Sequence, residues 1–289
     1  MPSYKTHSIH GEIILPDIIK QTYIDKDDIK TFCMGPDAMI ATDYHMFKYQ
    51  HVNLTKDYFM TLLKLIKENK LQENSEVMAF LYGQLDHFVL DLTTHPLIYY
   101  MTENYPKAHK IDPHGLVEMW IDDYTMNKYN KDNKHYYHKV FIKDKELKEL
   151  INQTYRNVYR IDNIAFKYST GQLFMVMYDS LRNNKIIRPI TKLINVGDIK
   201  YSKDLDRVIP FLNLEHDVWY NPETGEKSTN SFDDLWQRAI EVSLETINDA
   251  NNFLYKDKNI TNPLILNNTS YDTGLPCSAG QSLKYIKKY

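Results

Sequence analysis

The chain has few of the residues on which several common binding sites depend. It contains 9 glycines among 289 residues, and neither GxGxxG nor GxxxxGK[ST] occurs, which argues against a dinucleotide site and a P-loop. The scarcity of glycine also argues against a turn-dense β-sandwich. Its two cysteines, Cys33 and Cys277, are far apart and form no CxxC motif, so a thiolate zinc finger and a disulfide framework are excluded.

Long apolar runs and an excess of positive charge are absent as well. No window approaches the roughly 18 apolar residues of a membrane span, and the N-terminal MPSYKTHSIHGEIILPD lacks the charged and apolar regions of a signal peptide. We therefore expect a soluble, cytoplasmic protein without a transmembrane segment. The formal charge of −3 and the isoelectric point near 6.4 give no bulk attraction towards nucleic acid or anionic membranes.

Apolar residues recur at helical spacing, whereas the alternation typical of strands is weak, so we predict an all-α, multi-helix bundle. Asn53 or Thr55 is expected to cap one helix, Ser75 to open a central buried helix, and Pro96 to end that helix just after His95. One further helix is predicted to begin after Pro113. Three more are predicted to cover 143–159, 164–183 and 231–255, the last with Ser231 as its N-cap.

We predict a single domain over residues 1–289. The polar segment 221–230 is interpreted as a loop that packs against this domain. Segment 127–134 is a candidate break between a histidine-rich and a histidine-poor half, since ten of the eleven histidines lie within the first 138 residues. Residues 1–138 would therefore carry any metal ligands, and residues 139–289 would form scaffold or substrate wall.

Two helical segments carry a histidine and a carboxylate four residues apart, which places both side chains on one face. These are His87 and Asp91 in GQLDHFVLDLTTHP, and His114 and Glu118 in HGLVEMWID. His95 follows one turn after Asp91. A buried ionised carboxylate is costly unless it is paired or bound to metal, so the pattern predicts a metal site. Imidazole and carboxylate without thiolate suit zinc, and also manganese, iron or nickel.

In order and residue type, the first 125 residues resemble the zinc-dependent phospholipase C family, whose all-α fold is shared with single-strand-specific nucleases. The matching elements are His7 in THSIHGE, Asp37 in a GPD triplet, His51 before a helix, then HxxxDxxxHP and HxxxExxxD. The SFDDLW segment also looks like the closing part of that family.

The resemblance implies two or three zinc ions, two of them bridged by an aspartate. It would assign the ligands to three ions as follows: Asp37, His51, His87 and Asp91; His7 and Asp91; His95, His114 and Glu118. Asp91 would be the bridge, and Asp37 would be both a ligand and the general base, which makes these two the candidate catalytic residues. The implied activity is that of a zinc-dependent phosphodiesterase, which hydrolyses a phosphate ester such as a phospholipid by metal-activated water.

The chain departs from the secreted members of the family in two ways. The spacing from Asp91 to His95 is shorter and looks like that of glycosylphosphatidylinositol-specific phospholipase D, and the chain begins Met-Pro where those enzymes have a zinc-ligating tryptophan. Either His45 or His51 could be the histidine ligand between Asp37 and His87. We favour His51, because a helix follows His51 directly. We expect His10 to be structural or an accidental extra ligand. Asp122 and Asp123 could orient ligand imidazoles as hydrogen-bond acceptors, but we favour a role in capping or solvating their helix. Three further histidines are expected to face solvent, namely His109, His135 and His138.

Two other functions are compatible with the same residues. One is a single-strand nuclease or nucleotidase, with nucleic acid bound only as substrate, and the other is a non-catalytic helical protein with a structural metal site. An aromatic rim could hold a lipid or stack bases, and its candidate members are Tyr44, Phe47, Tyr99 and Tyr100. The number of ions and the presence of an open coordination position would separate catalysis from structure.

Overall fold

The computed structural model describes residues 4–18, 24–105, 112–131, 141–182 and 205–289. Regular structure in these ranges is almost entirely helical, which confirms the predicted all-α fold. The one sheet found there is an antiparallel hairpin of β1 (Trp219–Tyr220) and β2 (Lys227–Ser228). None of the described helices combines the length and apolar content needed to cross a membrane.

The α-helices of the described ranges are numbered in chain order. They are α1 (Tyr4–Ile18), α2 (Lys26–Phe32), α3 (Tyr44–Val52), α4 (Thr55–Glu68), α5 (Ser75–Thr102), α6 (Pro113–Lys128), α7 (Lys145–Tyr159), α8 (Ile164–Arg182), α9 (Ile209–Leu212), α10 (Phe232–Lys256) and α11 (Pro263–Leu266). Two short 3₁₀ helices occupy Gly35–Met39 and Cys277–Ala279.

Helix α5 is the buried centre of the fold. Every residue from Val77 to Asp91 is buried, as expected for a helix that is apolar on most sides. Helix α10 packs along α5, and α1, α2 and α6 contact it as well. The histidine-rich and histidine-poor parts of the chain therefore share one hydrophobic core.

The prediction that Pro96 ends this helix was wrong, because α5 continues to Thr102. Proline lacks the N–H that would bond to the carbonyl of Leu92, so the helix loses one hydrogen bond there. The next turns nevertheless bury Leu97, Ile98 and Met101 against the core. This tertiary packing sustains the helix beyond the proline.

The remaining helix boundaries differ little from those predicted. The N-cap of α5 is Asn74 rather than Ser75, and α4 begins at Thr55 without a side-chain cap. Ser231 does cap α10, where its hydroxyl and the side chain of Asp234 form a capping box. The segment predicted as a loop, 221–230, contains the hairpin turn and strand β2. Residues 132–134 of the second predicted break lie outside the described ranges.

Helix α8 lies unusually close to the 3₁₀ helix Gly35–Met39. The approach requires glycine at position 171, since a Cβ atom there would lie 1.6 Å from the carbonyl oxygen of Ala38. The segment that carries Asp37 is thus supported from behind by the backbone of α8.

A buried hydrogen bond joins α1 to α5. His10 Nδ1 lies 2.7 Å from Asp86 Oδ1, and both side chains are fully buried. The thiol of Cys33 donates a weak hydrogen bond to the other oxygen of Asp86 at 3.5 Å. His10 therefore gives an internal acid its hydrogen-bond partner and ties two helices together, in keeping with the structural one of the two roles considered for it.

We expect His10→Ala to lower the free energy of unfolding by about 2 kcal/mol, because it leaves the buried side chain of Asp86 without its hydrogen-bond partner on α1. Urea denaturation of the purified variants measures this change. His45→Ala removes an exposed histidine from α3 and serves as the matched control. Equal stability of the two variants would contradict the interpretation.

Candidate metal centre

The structure brings all eight predicted ligands into one cluster. They lie on five elements: His7 on α1, Asp37 on the 3₁₀ helix, His51 on α3, three on α5 (His87, Asp91 and His95), and two on α6 (His114 and Glu118). All are buried except His114, which is partly exposed. Residues that are separated by more than a hundred positions along the chain thus meet at one point.

Asp91 lies at the middle of this cluster. Its Oδ1 atom is 3.1 Å from His7 Nε2 and 3.4 Å from His95 Nε2. Its Oδ2 atom is 3.0 Å from His87 Nε2 and 3.6 Å from His51 Nε2. Burial raises the pKa of Asp91, but the surrounding histidines lower it further, so that the net pKa is well below its usual range.

The ligand atoms form three groups, and the atoms within each group lie within 4.8 Å of one another. The groups are His7, His87 and Asp91; Asp37, His51 and His87; and His95, His114 and Glu118. The first two groups share His87, whose ring stacks on that of His7 at 4.0 Å between centroids. Asp91 faces all three groups through its two oxygens, so one carboxylate connects them.

Several atoms in the cluster are buried without a hydrogen-bond partner among the described residues: both carboxylate oxygens of Asp37, Oδ2 of Asp91 and Nε2 of His87. Histidine nitrogens lie 3.0 to 3.8 Å from these oxygens, but their directions do not make hydrogen bonds. Leaving such atoms unsatisfied is costly. Cations bound within the cluster would give these atoms partners.

Backbone carbonyls fix the orientation of three of the rings. In each case Nδ1 lies within hydrogen-bonding distance of a carbonyl oxygen, with His51 on Phe47 (2.7 Å), His87 on Cys33 (3.0 Å) and His95 on Tyr271 (3.2 Å). A carbonyl can only accept, so Nδ1 carries the proton in each ring and Nε2 is left to point into the cluster. This is the arrangement in which histidine ligates metals.

The GPD turn is shaped by the ring of His87. Gly35 has φ +55°, and a Cβ atom at this position would lie 2.3 Å from that ring. Only glycine combines this backbone conformation with such a close approach. The turn can therefore seat Asp37 directly beside His87.

In the third group, the carboxylate of Glu118 lies close to the rings of His95 and His114. Glu118 Oε1 is 3.1 Å from His95 Nε2 and 3.0 Å from His114 Nε2. Burial raises the pKa of Glu118, but the two histidines lower it more, so the net shift is downward. Burial lowers the pKa of His95, yet the carboxylates of Asp91 and Glu118 raise it to about 10. A metal ion that binds His95 would therefore displace a proton.

A cleft of about 820 Å³ lies next to the cluster, and six of the eight candidate ligands line it: Asp37, His51, Asp91, His95, His114 and Glu118. Three of the four aromatic residues predicted for its rim, Tyr44, Phe47 and Tyr99, line this cleft. Tyr100 is not among the lining residues, and its ring instead faces Trp219 at 6.2 Å. The rim is thus aromatic mainly on the side of α3.

Sequence reasoning missed the contribution of the loop after α11. Besides the carbonyl of Tyr271, this loop supplies Asp272, whose Oδ1 atom lies 3.7 Å from Nδ1 of His95. Asp272 also lines the cleft. Its segment, YDTG, has the composition of an ordinary turn, so no local signal distinguishes it.

The two candidates for the histidine ligand between Asp37 and His87 lie in different surroundings. His51 lies in the cluster, 3.2 Å from Asp37, whereas His45 is exposed and its ring lies beside that of Tyr49. His109, His135 and His138, which we expected to face solvent, fall outside the described residues.

The expectation for Asp122 and Asp123 was wrong, because both are buried. Asp122 accepts hydrogen bonds from the backbone N–H and the hydroxyl of Thr6, both at 2.8 Å. Asp123 forms an ion pair with Arg207. These acids anchor α6 to neighbouring segments, and Thr6 precedes the candidate ligand His7.

Comparison with known proteins agrees with this geometry. A family model described as zinc-dependent phospholipase C matches residues 5–164, which is more than half of the chain and includes all eight candidate ligands. Comparisons with curated proteins and with solved structures gave no match.

We expect Asp91→Asn to lower the zinc content of the purified protein by about one ion per chain or more, because it replaces the carboxylate that faces all three groups with an uncharged amide. Elemental analysis after dialysis against trace zinc measures the content. Asp57→Asn removes an exposed carboxylate from α4 and should leave it unchanged. Equal zinc content in the two variants would show that Asp91 is no ligand.

Proposed function

Because the chain belongs to the zinc-dependent phospholipase C family, we propose that it hydrolyses a phosphate diester with zinc held by the eight clustered side chains. One observation carries this proposal. Both carboxylate oxygens of Asp37 and Oδ2 of Asp91 have no hydrogen-bond partner within the described residues, and these two aspartates line an open cleft together with His51, His95 and His114. Nitrogen and oxygen donors without thiolate are a set that zinc accepts.

When bound, zinc supplies a Lewis acid that lowers the pKa of water towards about 7 and neutralises phosphate charge. The residues of the chain supply orientation and proton transfer. Asp37 is the candidate general base, since its carboxylate lines the cleft and has no hydrogen bond within the described structure that would restrain its oxygens. The carbonyls behind three of the histidines hold the ligand nitrogens in place.

A catalytic site is favoured over a structural one. Each of the three groups brings together ligand atoms from three residues, and the cluster opens into the cleft. Structural zinc sites are closed by four protein ligands, whereas catalytic sites keep a position open for water or substrate. The geometry therefore supports an enzyme.

The charge of the cleft favours a single phosphodiester over a nucleic acid strand. Beyond the candidate ligands, the described lining contains three acids, Glu103, Asp112 and Asp272, whereas Lys48 is its one lysine or arginine. Binding of nucleic acid depends on cationic contacts to successive phosphates. A phospholipid with an uncharged or zwitterionic headgroup fits this balance better.

A paired assay tests the proposed activity. Zinc-loaded protein is incubated with short-chain phosphatidylcholine and, separately, with single-stranded DNA and RNA. We expect release of the phosphorylated headgroup, loss of this activity with a chelator, and its return when zinc is added back. Preferential cleavage of nucleic acid would identify a nuclease, and no hydrolysis of any of these would overturn the proposal.

Asp37→Asn should lower kcat for the phospholipid by about 10²–10⁴-fold, the range typical of a lost general base. The exposed acid of α4 again provides the control, since Asp57→Asn preserves all groups in the cleft. Steady-state kinetics of the zinc-loaded proteins gives both values. Near-wild-type kcat in Asp37→Asn would exclude a catalytic role for this carboxylate.

A further inference from the structure

The segment Gln281–Leu283 forms part of the cleft wall, although it belongs to neither a helix nor a strand. A single carboxylate, that of Glu223 in the turn between β1 and β2, holds it. The backbone N–H of Ser282 donates to both oxygens of Glu223 at 2.8 Å, and the hydroxyl of Ser282 donates at 2.5 Å. The backbone N–H of Leu283 donates at 3.0 Å.

A second set of contacts fixes the same turn to the following residues. The backbone N–H of Tyr285 donates to the carbonyl of Pro222 at 3.0 Å. The ring of Tyr285 lies over Gly225, where a Cβ atom would approach it to 2.9 Å. We call the hairpin turn Asn221–Gly225 the clasp and the segment Gln281–Leu283 the wall segment. The clasp holds the wall segment in place through these contacts.

The other side of the wall segment faces the cleft. Gln281 and Leu283 both line it, together with Tyr99. The ring of Tyr99 stacks on the candidate ligand His114 at 4.2 Å between centroids. A displacement of the wall segment would therefore change the shape of the cleft close to the candidate ligand His114.

The wall segment depends on its clasp. Leu283 has φ +47°, a conformation that is strained for a residue with a branched side chain. The bond from its N–H to Glu223 helps to hold this conformation, and charge-assisted bonds of this kind are stronger than neutral ones. Without the carboxylate, the backbone donors of Ser282 and Leu283 lose their acceptor and the strain can relax.

We propose that Gln281–Leu283 is a specificity wall that limits the size of the group esterified to the phosphate, and that Glu223 is the positioning residue that holds it. This inference rests on the proposed phosphodiesterase activity. It assigns a substrate-discriminating role to residues that lie outside the segment matched by the family model.

Hydrogen exchange tests the clasp without any need for activity. In Glu223→Ala, the amides of Ser282 and Leu283 should exchange about tenfold faster or more than in the wild type, since their acceptor is lost. Glu226→Ala removes an exposed carboxylate from the same hairpin and should leave these rates unchanged. Unchanged protection in Glu223→Ala would overturn the role of Glu223.

Kinetics tests the wall itself. The ratio of kcat/KM for short-chain phosphatidylcholine to that for the compact diester bis(p-nitrophenyl) phosphate is measured for zinc-loaded wild type, Glu223→Ala, Leu283→Ala and Glu226→Ala. We expect the ratio to rise about tenfold in Glu223→Ala and Leu283→Ala, mainly through a lower KM for the bulkier phosphatidylcholine, and to stay constant in Glu226→Ala. Leu283→Ala keeps the clasp and shortens only the side chain that lines the cleft.

The outcomes separate the two proposals. If the wild type hydrolyses neither diester, the proposed function fails, whatever the exchange rates show. If the wild type is active and the ratio is the same in all four proteins, the specificity wall is overturned while the proposed function stands. Zinc content measured on the same samples should be equal, because none of these variants changes a candidate ligand.

Discussion

The arrangement of this molecule depends on the charge of one buried carboxylate. An ionised carboxylate inside an apolar helix costs several kcal/mol unless opposite charge or metal surrounds it. Asp91 is 3% exposed, and four imidazole nitrogens lie 3.0 to 3.6 Å from its oxygens. These imidazoles come from α1, α3 and α5, so neutralising this single charge requires three helices to meet. The ligands on α6 join them through His95, which contacts both Asp91 and Glu118.

The second part of the chain completes the centre although it carries none of the eight candidate ligands. Helix α10 packs along α5 and covers the ligand-bearing helix. The carbonyl of Tyr271 orients the ring of His95, and Asp272, Gln281 and Leu283 line the cleft. All eight candidate ligands thus lie in the first part, while the second part packs against the helix that bears three of them and supplies part of the cleft lining.

Much of the fold could be predicted because helix periodicity and capping are local properties. The capping box at Ser231 and the start of α6 at Pro113 were both evident from neighbouring residues. Pro96 shows the limit of such reasoning, since burial of the following residues outweighs its local effect. Asp122 and Asp123 were misjudged for the same reason, because their partners, Thr6 and Arg207, lie far away in the chain.

The sequence by itself determined which residue types could bind metal and which of them share a helix face, since spacing along a helix fixes direction. That spacing indicated His87, Asp91, His95, His114 and Glu118, whereas the family resemblance implied His7, Asp37 and His51, the last in preference to His45. Only the tertiary structure decided that Asp91 faces all three groups, that backbone carbonyls orient three of the rings, and that Asp272 and the wall segment border the cleft. These features rest on contacts between distant segments, and no local pattern encodes the point at which such segments meet.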